Sequence, residues 1–268
     1  MEKRFLSPQE TIITTISNGV KKTQLSFKQT IFLGFLAGVY IGFGAYGSIT
    51  VMQTMKNIDV GLMKFMGAMV FPVGLMLVII CGAELFTGNN LLVMALLENE
   101  ISFSSMLRNW VLVYFSNFLG SVFLAYCLSK SGLIKDSVLN LTLSIAQNKI
   151  SPPIIEMIIR GILCNILVVL AVIMATASLD IVSKIFSCWF PIMLFVLCGY
   201  EHSVANMFFL PLAKFIGSNI SWAQIFFKNL FPVTLGNLIG GAIIIPFIYV
   251  YSYMQLHKKK DVQMGIKG

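Results

Sequence analysis

Four ionisable side chains interrupt the long apolar runs of this chain: Glu84, Arg160, Glu201 and His202. An ionisable group at membrane depth is costly, so each is a functional candidate. Two of them belong to a repeated pattern. Cys81-Gly82-Ala83-Glu84 and Cys198-Gly199-Tyr200-Glu201 each follow a Phe-Pro pair (Phe71-Pro72, Phe190-Pro191), and each has an Asn five residues past its Glu, Asn89 and Asn206. A carboxylate kept in both copies reads as architecture. At a helix break it can accept hydrogen bonds from the freed backbone N–H groups of the next half-helix, and Asn89 and Asn206 are expected to do similar work. His202 breaks the symmetry, because its counterpart is Leu85. One imidazole there can donate a hydrogen bond or a proton to a passing anion; a neutral histidine bonded to a carbonyl is the plainer alternative. Thr87 offers a hydroxyl in the stretch Leu85-Phe86-Thr87-Gly88-Asn89, for substrate or for local backbone. Leu85 and Phe86 point to hydrophobic constrictions along the path. Lys149 either concentrates anions at a pore mouth or snorkels at the interface. Arg160 needs a partner, a carboxylate or a subunit interface.

The elements that must carry these groups follow from composition. The chain is 57% hydrophobic and only 11% charged, against roughly 25% charged in soluble domains. It must be solvated by lipid. Apolar stretches of about 20 residues lie near 31–53, 65–97, 109–129, 155–177, 185–213 and 231–254, which predicts an all-α integral membrane protein of six crossings. The second and fifth are overlong and contain the repeated motif, so each should divide into two half-helices around an irregular stretch facing a cavity. A second set of spacings repeats as well: Asn109, Asn117 and Gly120 match Asn229, Asn237 and Gly240. The offsets of 117 and 120 residues make two copies of one unit, about 31–130 and 155–254. Three spans per half make the repeat inverted, and paired breaks in such repeats mark a midplane site.

Residues 1–30 read as a cytoplasmic segment with a short interfacial helix, capped by Ser7 with Glu10 at its third position; residues 31–254 form the channel domain and 255–268 a basic cytoplasmic tail. Lys and Arg number eleven on the side of the termini and seven on the other, which favours cytoplasmic termini in a bacterial inner membrane. Gly34, Gly38 and Gly42, with Gly236, Gly240 and Gly241, permit close helix contact.

Several classes of function are disfavoured. The net charge of +8 is dispersed at the ends of apolar runs, which suits lipid head groups better than nucleic acid. The five cysteines show no metal-ligand spacing, so no metal or other cofactor is expected. An enzyme is not expected either, because the second histidine, His257, lies in the tail and no base is available for a triad. A neutral-solute pore of the aquaporin or glycerol type would want Asn-Pro-Ala at both breaks, and the chain has none. A single cationisable group among hydroxyls, amides and greasy walls suits small monovalent anions, with protonation relieving the desolvation cost of the bare ion.

At these residues the chain strongly resembles the formate/nitrite transporter family. The matching stretches are Gly34-Phe35-Leu36-Ala37-Gly38, Ala83-Glu84-Leu85-Phe86-Thr87, Gly161-Ile162-Leu163-Cys164-Asn165, Gly199 through Phe208, and Pro232-Val233-Thr234-Leu235-Gly236-Asn237. The resemblance implies an aquaporin-like six-helix protomer in a homopentamer, each protomer with its own pore for formate, nitrite, hydrosulfide or lactate, sometimes coupled to protons. It implies that His202 is the central pore histidine and Thr87 its partner. Leu75, Leu85 and Phe195 would form the cytoplasmic constriction, and Phe71, Phe86 and Val168 the outer one. Asn165 would join the polar lining, and Lys149 would be the vestibule lysine. Gly88-Asn89-Asn90 departs from formate-type members after Thr87 and leaves the choice of anion open.

Overall fold

The computed structural model describes the backbone of residues 3–263 and the side chains through Met254. The expected tail, residues 255–268, therefore lies outside the described side chains. Among the described residues the regular structure is helical, apart from one isolated bridge between Phe5 and Ser178.

Helix α1 (Pro8–Thr23) begins as its sequence dictates. The Ser7 Oγ accepts the Glu10 N–H, and the Glu10 carboxylate accepts the Ser7 N–H at 2.8 Å, a reciprocal cap. The helix is not a free surface element: Ile12 is fully buried, in one cluster with Met94, Val169 and Val250. The expected boundary at residue 30 thus separates residues that pack together. Helices α2 (Phe27–Met52), α3 (Val60–Val70) and α4 (Val73–Ile80) follow, with Phe71-Pro72 between the last two. Pro72 has no N–H to continue α3 and starts α4 instead.

The chain then leaves helical geometry from Cys81 to Thr87, re-enters through a 3₁₀ turn at Gly88–Leu91, and continues as α5 (Leu92–Leu97). Helix α6 (Phe103–Lys130) leads to α7 (Asp136–Ile150), which lies between the expected third and fourth crossings. Helices α8 (Ile154–Ala177) and α9 (Ile181–Leu197) come next; α9 stops at Cys198, and α10 (Ser203–Phe215) starts after Glu201-His202. The last long helix runs through a π-turn at Gln224–Leu230, α11 (Phe231–Leu238), a second π-turn at Ile239–Ile244 and α12 (Ile245–Gln263). Gly82 and Gly199, the glycines of the repeated motif, both take left-handed backbone, φ 76° and 72°, where a side chain would be strained.

Five helices among the described residues are long and apolar enough to cross a membrane: Phe27–Met52, Val60–Ile80, Phe103–Lys130, Ile154–Ala177 and Gln224–Met254. The expected crossing at 185–213 is two shorter helices, α9 and α10, neither long enough alone.

Close backbone contact sets the frame. A methyl group on Gly120 would lie 1.9 Å from the Phe35 carbonyl oxygen, and one on Gly240 2.3 Å from that of Ile162. Helix α6 therefore seats on α2, and the last long helix on α8, through glycine at equivalent positions.

Candidate functional site

Two irregular stretches meet in the interior, and each is held by a matching set of bonds, with one addition in the first half, where Lys22 Nζ also donates to Asn89 Oδ1 at 3.0 Å. In the first half, Glu84 accepts from Lys22 Nζ at 2.7 Å and from Asn89 Nδ2 at 2.6 Å. In the second, Glu201 accepts from Lys149 Nζ at 2.9 Å and from Asn206 Nδ2 at 2.6 Å. Asn89 and Asn206 donate onward to Asn109 and Asn229, whose own amides donate to the Lys22 and Lys149 carbonyls. Asn117 Nδ2 donates to the carbonyls of Glu84 and Gly34 while its Oδ1 accepts the Phe86 N–H; Asn237 does the same with Glu201, Gly161 and the Ser203 N–H. The Glu84 and Glu201 N–H groups donate to the Leu33 and Arg160 carbonyls.

The two carboxylates were expected to receive the freed backbone N–H groups, and they do not. Asn117 and Asn237 take the first of those donors, so the carboxylates are left to neutralise half-buried lysines. Arg160 finds its partner in Glu156, one turn away on an exposed face of α8. Lys149 is not a free vestibule charge. It is ion-paired, and its ammonium lies 5.3 Å from the Phe209 ring centre. Lys22 was missed as a site residue. Its offset from Lys149 is 127 residues, equal to that between Gly34 and Gly161, and that coincidence was the available signal.

Where the two stretches approach, the Thr87 hydroxyl lies 2.8 Å from His202 Nε2, with both residues buried. The other ring nitrogen, Nδ1, accepts the Ala205 N–H at 3.1 Å, which caps α10. With Nδ1 occupied as acceptor, the neutral ring carries its hydrogen on Nε2 and donates it to Thr87 Oγ1. The Thr87 O–H is then left to donate elsewhere. The Phe195 ring stacks on the imidazole at 5.8 Å.

A chamber of about 10 Å³ adjoins His202, lined also by Ile41, Phe71, Leu75, Leu85, Val168, Ile192 and Phe195; Thr87 is not part of its lining. Five of the six expected constriction residues therefore surround one small space. Their expected division does not match the packing: Phe71 and Phe195, placed in opposite constrictions, touch edge to face at 5.7 Å. Phe86 is outside this lining, its ring held edge-on by Tyr114 at 4.8 Å and Trp110 at 6.3 Å. Asn165 does not line the chamber either. Its Nδ2 is spent on Asn90 Oδ1 at 2.7 Å and the Asn237 carbonyl at 2.8 Å, with a longer contact to the Thr87 carbonyl. A cavity of about 640 Å³ opens on the Lys22 side, bounded by α1, Glu84, Asn89 and Lys184.

A family model described as Formate/nitrite transporter matches residues 9–251. The chain belongs to the formate/nitrite transporter family. A probable formate transporter of Methanothermobacter thermautotrophicus is 40% identical, with 95% of this chain and 100% of that protein covered. A formate channel of Bacillus thuringiensis, BtFdhC, is 39% identical over 94% of this chain and 98% of its own length. Among solved structures, an FNT family ion channel superposes with a TM-score of 0.83 at 30% identity, covering 91% of this chain and 98% of that one. A pentameric formate channel with formate bound gives 0.76 at 29% identity over 85% and 98%. This member of the formate/nitrite transporter family is a multi-pass membrane protein with an all-helical fold.

Proposed function

We propose that this chain is a channel for small monovalent anions, formate first among them, with one pore in each protomer of a homopentamer. The carrying observation is the buried Thr87–His202 hydrogen bond, 2.8 Å long, whose histidine borders a small chamber of apolar side chains. Formate is preferred because the relatives named above include formate channels, one of them described as pentameric with formate bound. Nitrite and hydrosulfide are the alternatives to be measured against it.

In this reading six crossings form two inverted repeats, with the second and fifth crossings broken at Cys81–Thr87 and Cys198–His202. Matching bonds from Lys22 and Lys149 extend the repeats to about 8–130 and 136–254, so that α1 corresponds to α7. The termini are cytoplasmic, Lys22 lies at the inner mouth and Lys149 at the outer one, and the membrane is a bacterial cytoplasmic membrane. Asn165 braces the Thr87 loop.

The anion accepts the free O–H of Thr87, which the Nε2–H of His202 polarises. Aligned donors of this kind replace part of the hydration lost between apolar walls. A second proton on the ring would have to occupy Nδ1 and displace the Ala205 N–H, so hydrogen-bond donation is favoured over proton donation by His202. A chamber of about 10 Å³ is at the limit for one water. Conduction therefore requires Leu75, Leu85 and the Phe71–Phe195 pair to move.

The deciding experiment is uptake of formate, nitrite, hydrosulfide, lactate and glycerol into proteoliposomes at acidic and neutral pH. Anion flux without glycerol flux is expected. Glycerol flux alone would replace this reading with a neutral-solute pore.

A further inference from the structure

Trp110 and Tyr114 stand about one turn apart on α6 and face the stretch that carries Thr87. The Trp110 Nε1–H donates to the Asn89 carbonyl at 2.9 Å, while its ring meets the Phe86 ring at 6.3 Å. Tyr114 closes on the same ring at 4.8 Å, and its hydroxyl shares a hydrogen bond of 3.0 Å with Thr234. Residues on both sides of Thr87 are thus held from α6. Among the described residues the second half has no such clamp: the positions 120 residues later are Leu230 and Thr234, and Phe86 is matched by Ser203.

The difference follows how each break re-enters a helix. His202 caps α10 with its own Nδ1 and so fixes its ring. Thr87 stands before its 3₁₀ turn in helical backbone, φ −65° and ψ −37°, and makes no side-chain cap; its hydroxyl meets His202 instead. Its stretch needs restraint from outside. We propose that Trp110 and Tyr114 are positioning residues that clamp Phe86 and Asn89 so that the Thr87 hydroxyl stays on His202, and that they set anion conduction through Thr87 alone. The inference rests on the channel reading for its functional part and on geometry for the clamp.

The test uses the full-length protein in proteoliposomes, with formate as probe, in two readouts. The first is formate flux in wild type, Trp110→Phe, Tyr114→Phe, Thr87→Ala and the Trp110→Phe/Thr87→Ala double variant. Trp110→Phe keeps an aromatic ring and removes the N–H donor, so the fold is retained, which a melting curve checks. Losing that bond is expected to lower formate flux about tenfold, with Tyr114→Phe smaller, and to have no further effect once Thr87 is alanine. The second readout is hydrogen exchange of amides 85–91, expected to speed up in Trp110→Phe while amides 205–212 of α10 stay unchanged. Wild-type exchange in this stretch, or an equal loss of flux with and without Thr87, overturns the proposal. Should the wild type pass no anion, the channel reading fails, and the exchange measurement still decides the clamp.

Discussion

The two halves of the molecule share a frame and differ in what the frame carries. Lys22–Glu84–Asn89–Asn109 and Lys149–Glu201–Asn206–Asn229 are the same four residue types in matching bonds, apart from the Lys22–Asn89 bond of the first half, and the Glu–Asn distance is 2.6 Å in both. Immediately after the glutamates the halves part: Leu85-Phe86-Thr87 on one side, His202-Ser203-Val204 on the other. The groups that meet, Thr87 and His202, are not equivalents of one another. A site where two copies converge is a single place, and one hydrogen bond there needs a donor and an acceptor. Duplication can supply the scaffold for such a bond, but only divergence can supply its two different ends.

Making the halves alike at this point should have the largest effect. His202→Leu restores the residue of the first half, removes the Nε2–H donor and leaves the Ala205 N–H uncapped. Formate flux is expected to fall by about two orders of magnitude, with about 1 kcal/mol of stability lost with the cap. His202→Asn keeps a good cap and loses the partner of Thr87, so it should recover stability without recovering flux. Full flux in either variant, measured in proteoliposomes, would remove the asymmetric pair from the mechanism.

The shared frame can be broken one half at a time. Glu201→Ala leaves the ammonium of Lys149 unpaired, and that side chain is only 16% exposed, against 33% for Lys22. Removing one partner of a buried pair costs about 3–5 kcal/mol. Glu201→Ala should approach the lower end of that range, and Glu84→Ala should cost about half as much because water reaches Lys22. Unfolding in detergent compares them, and equal losses would show that exposure does not separate the halves. Gly120→Ala and Gly240→Ala probe the backbone contacts of the same frame. Each forces a methyl group against a carbonyl and should cost about 1–3 kcal/mol, Gly120 the more because its oxygen is nearer, 1.9 Å against 2.3 Å. A larger cost at Gly240 would reverse the ranking of the two contacts.

Much of this frame was legible in the sequence because it is repeated. Cys-Gly-x-Glu, the two Asn positions and the matched glycines announce both irregular stretches before any coordinates exist. His202 stood out for the opposite reason, as the position where the repeat fails. What was not legible was the destination of each bond. Nothing local distinguishes a carboxylate that accepts backbone N–H groups from one that faces a lysine 62 residues away, as Glu84 faces Lys22. Helix α7 was hidden because its charged and polar residues resemble a loop beside the apolar runs. Phe86 sits against Trp110 and Tyr114 because of how α6 is seated, a tertiary fact that the apolar character of the residue does not encode.

The smallest effect concerns the first helix of each half, where α1 and α7 again differ. Helix α1 opens with the Ser7–Glu10 cap, whereas Lys135 before α7 supplies no side-chain cap. The Glu10 carboxyl is lowered from 4.5 to about 2, first by the hydrogen bond from Lys3 and then by the bonds from Ser7. A carboxyl whose pKa falls on folding stabilises the folded form above its unfolded value, and that contribution disappears as pH falls from about 4.5 through about 2. Hydrogen exchange should therefore show the first turn of α1 losing protection, relative to α7, only in that acidic window. Glu10→Gln should abolish the pH dependence while retaining part of the cap, since an amide oxygen still accepts the Ser7 N–H. Because the site is open to solvent, the change should stay within the first turn and leave the Lys22–Glu84 pair at the far end of the helix intact. A loss of formate flux in Glu10→Gln would mean that the N-terminal turn of α1 is coupled to the pore over the whole length of the helix, and would separate α1 from α7 in function as well as in capping.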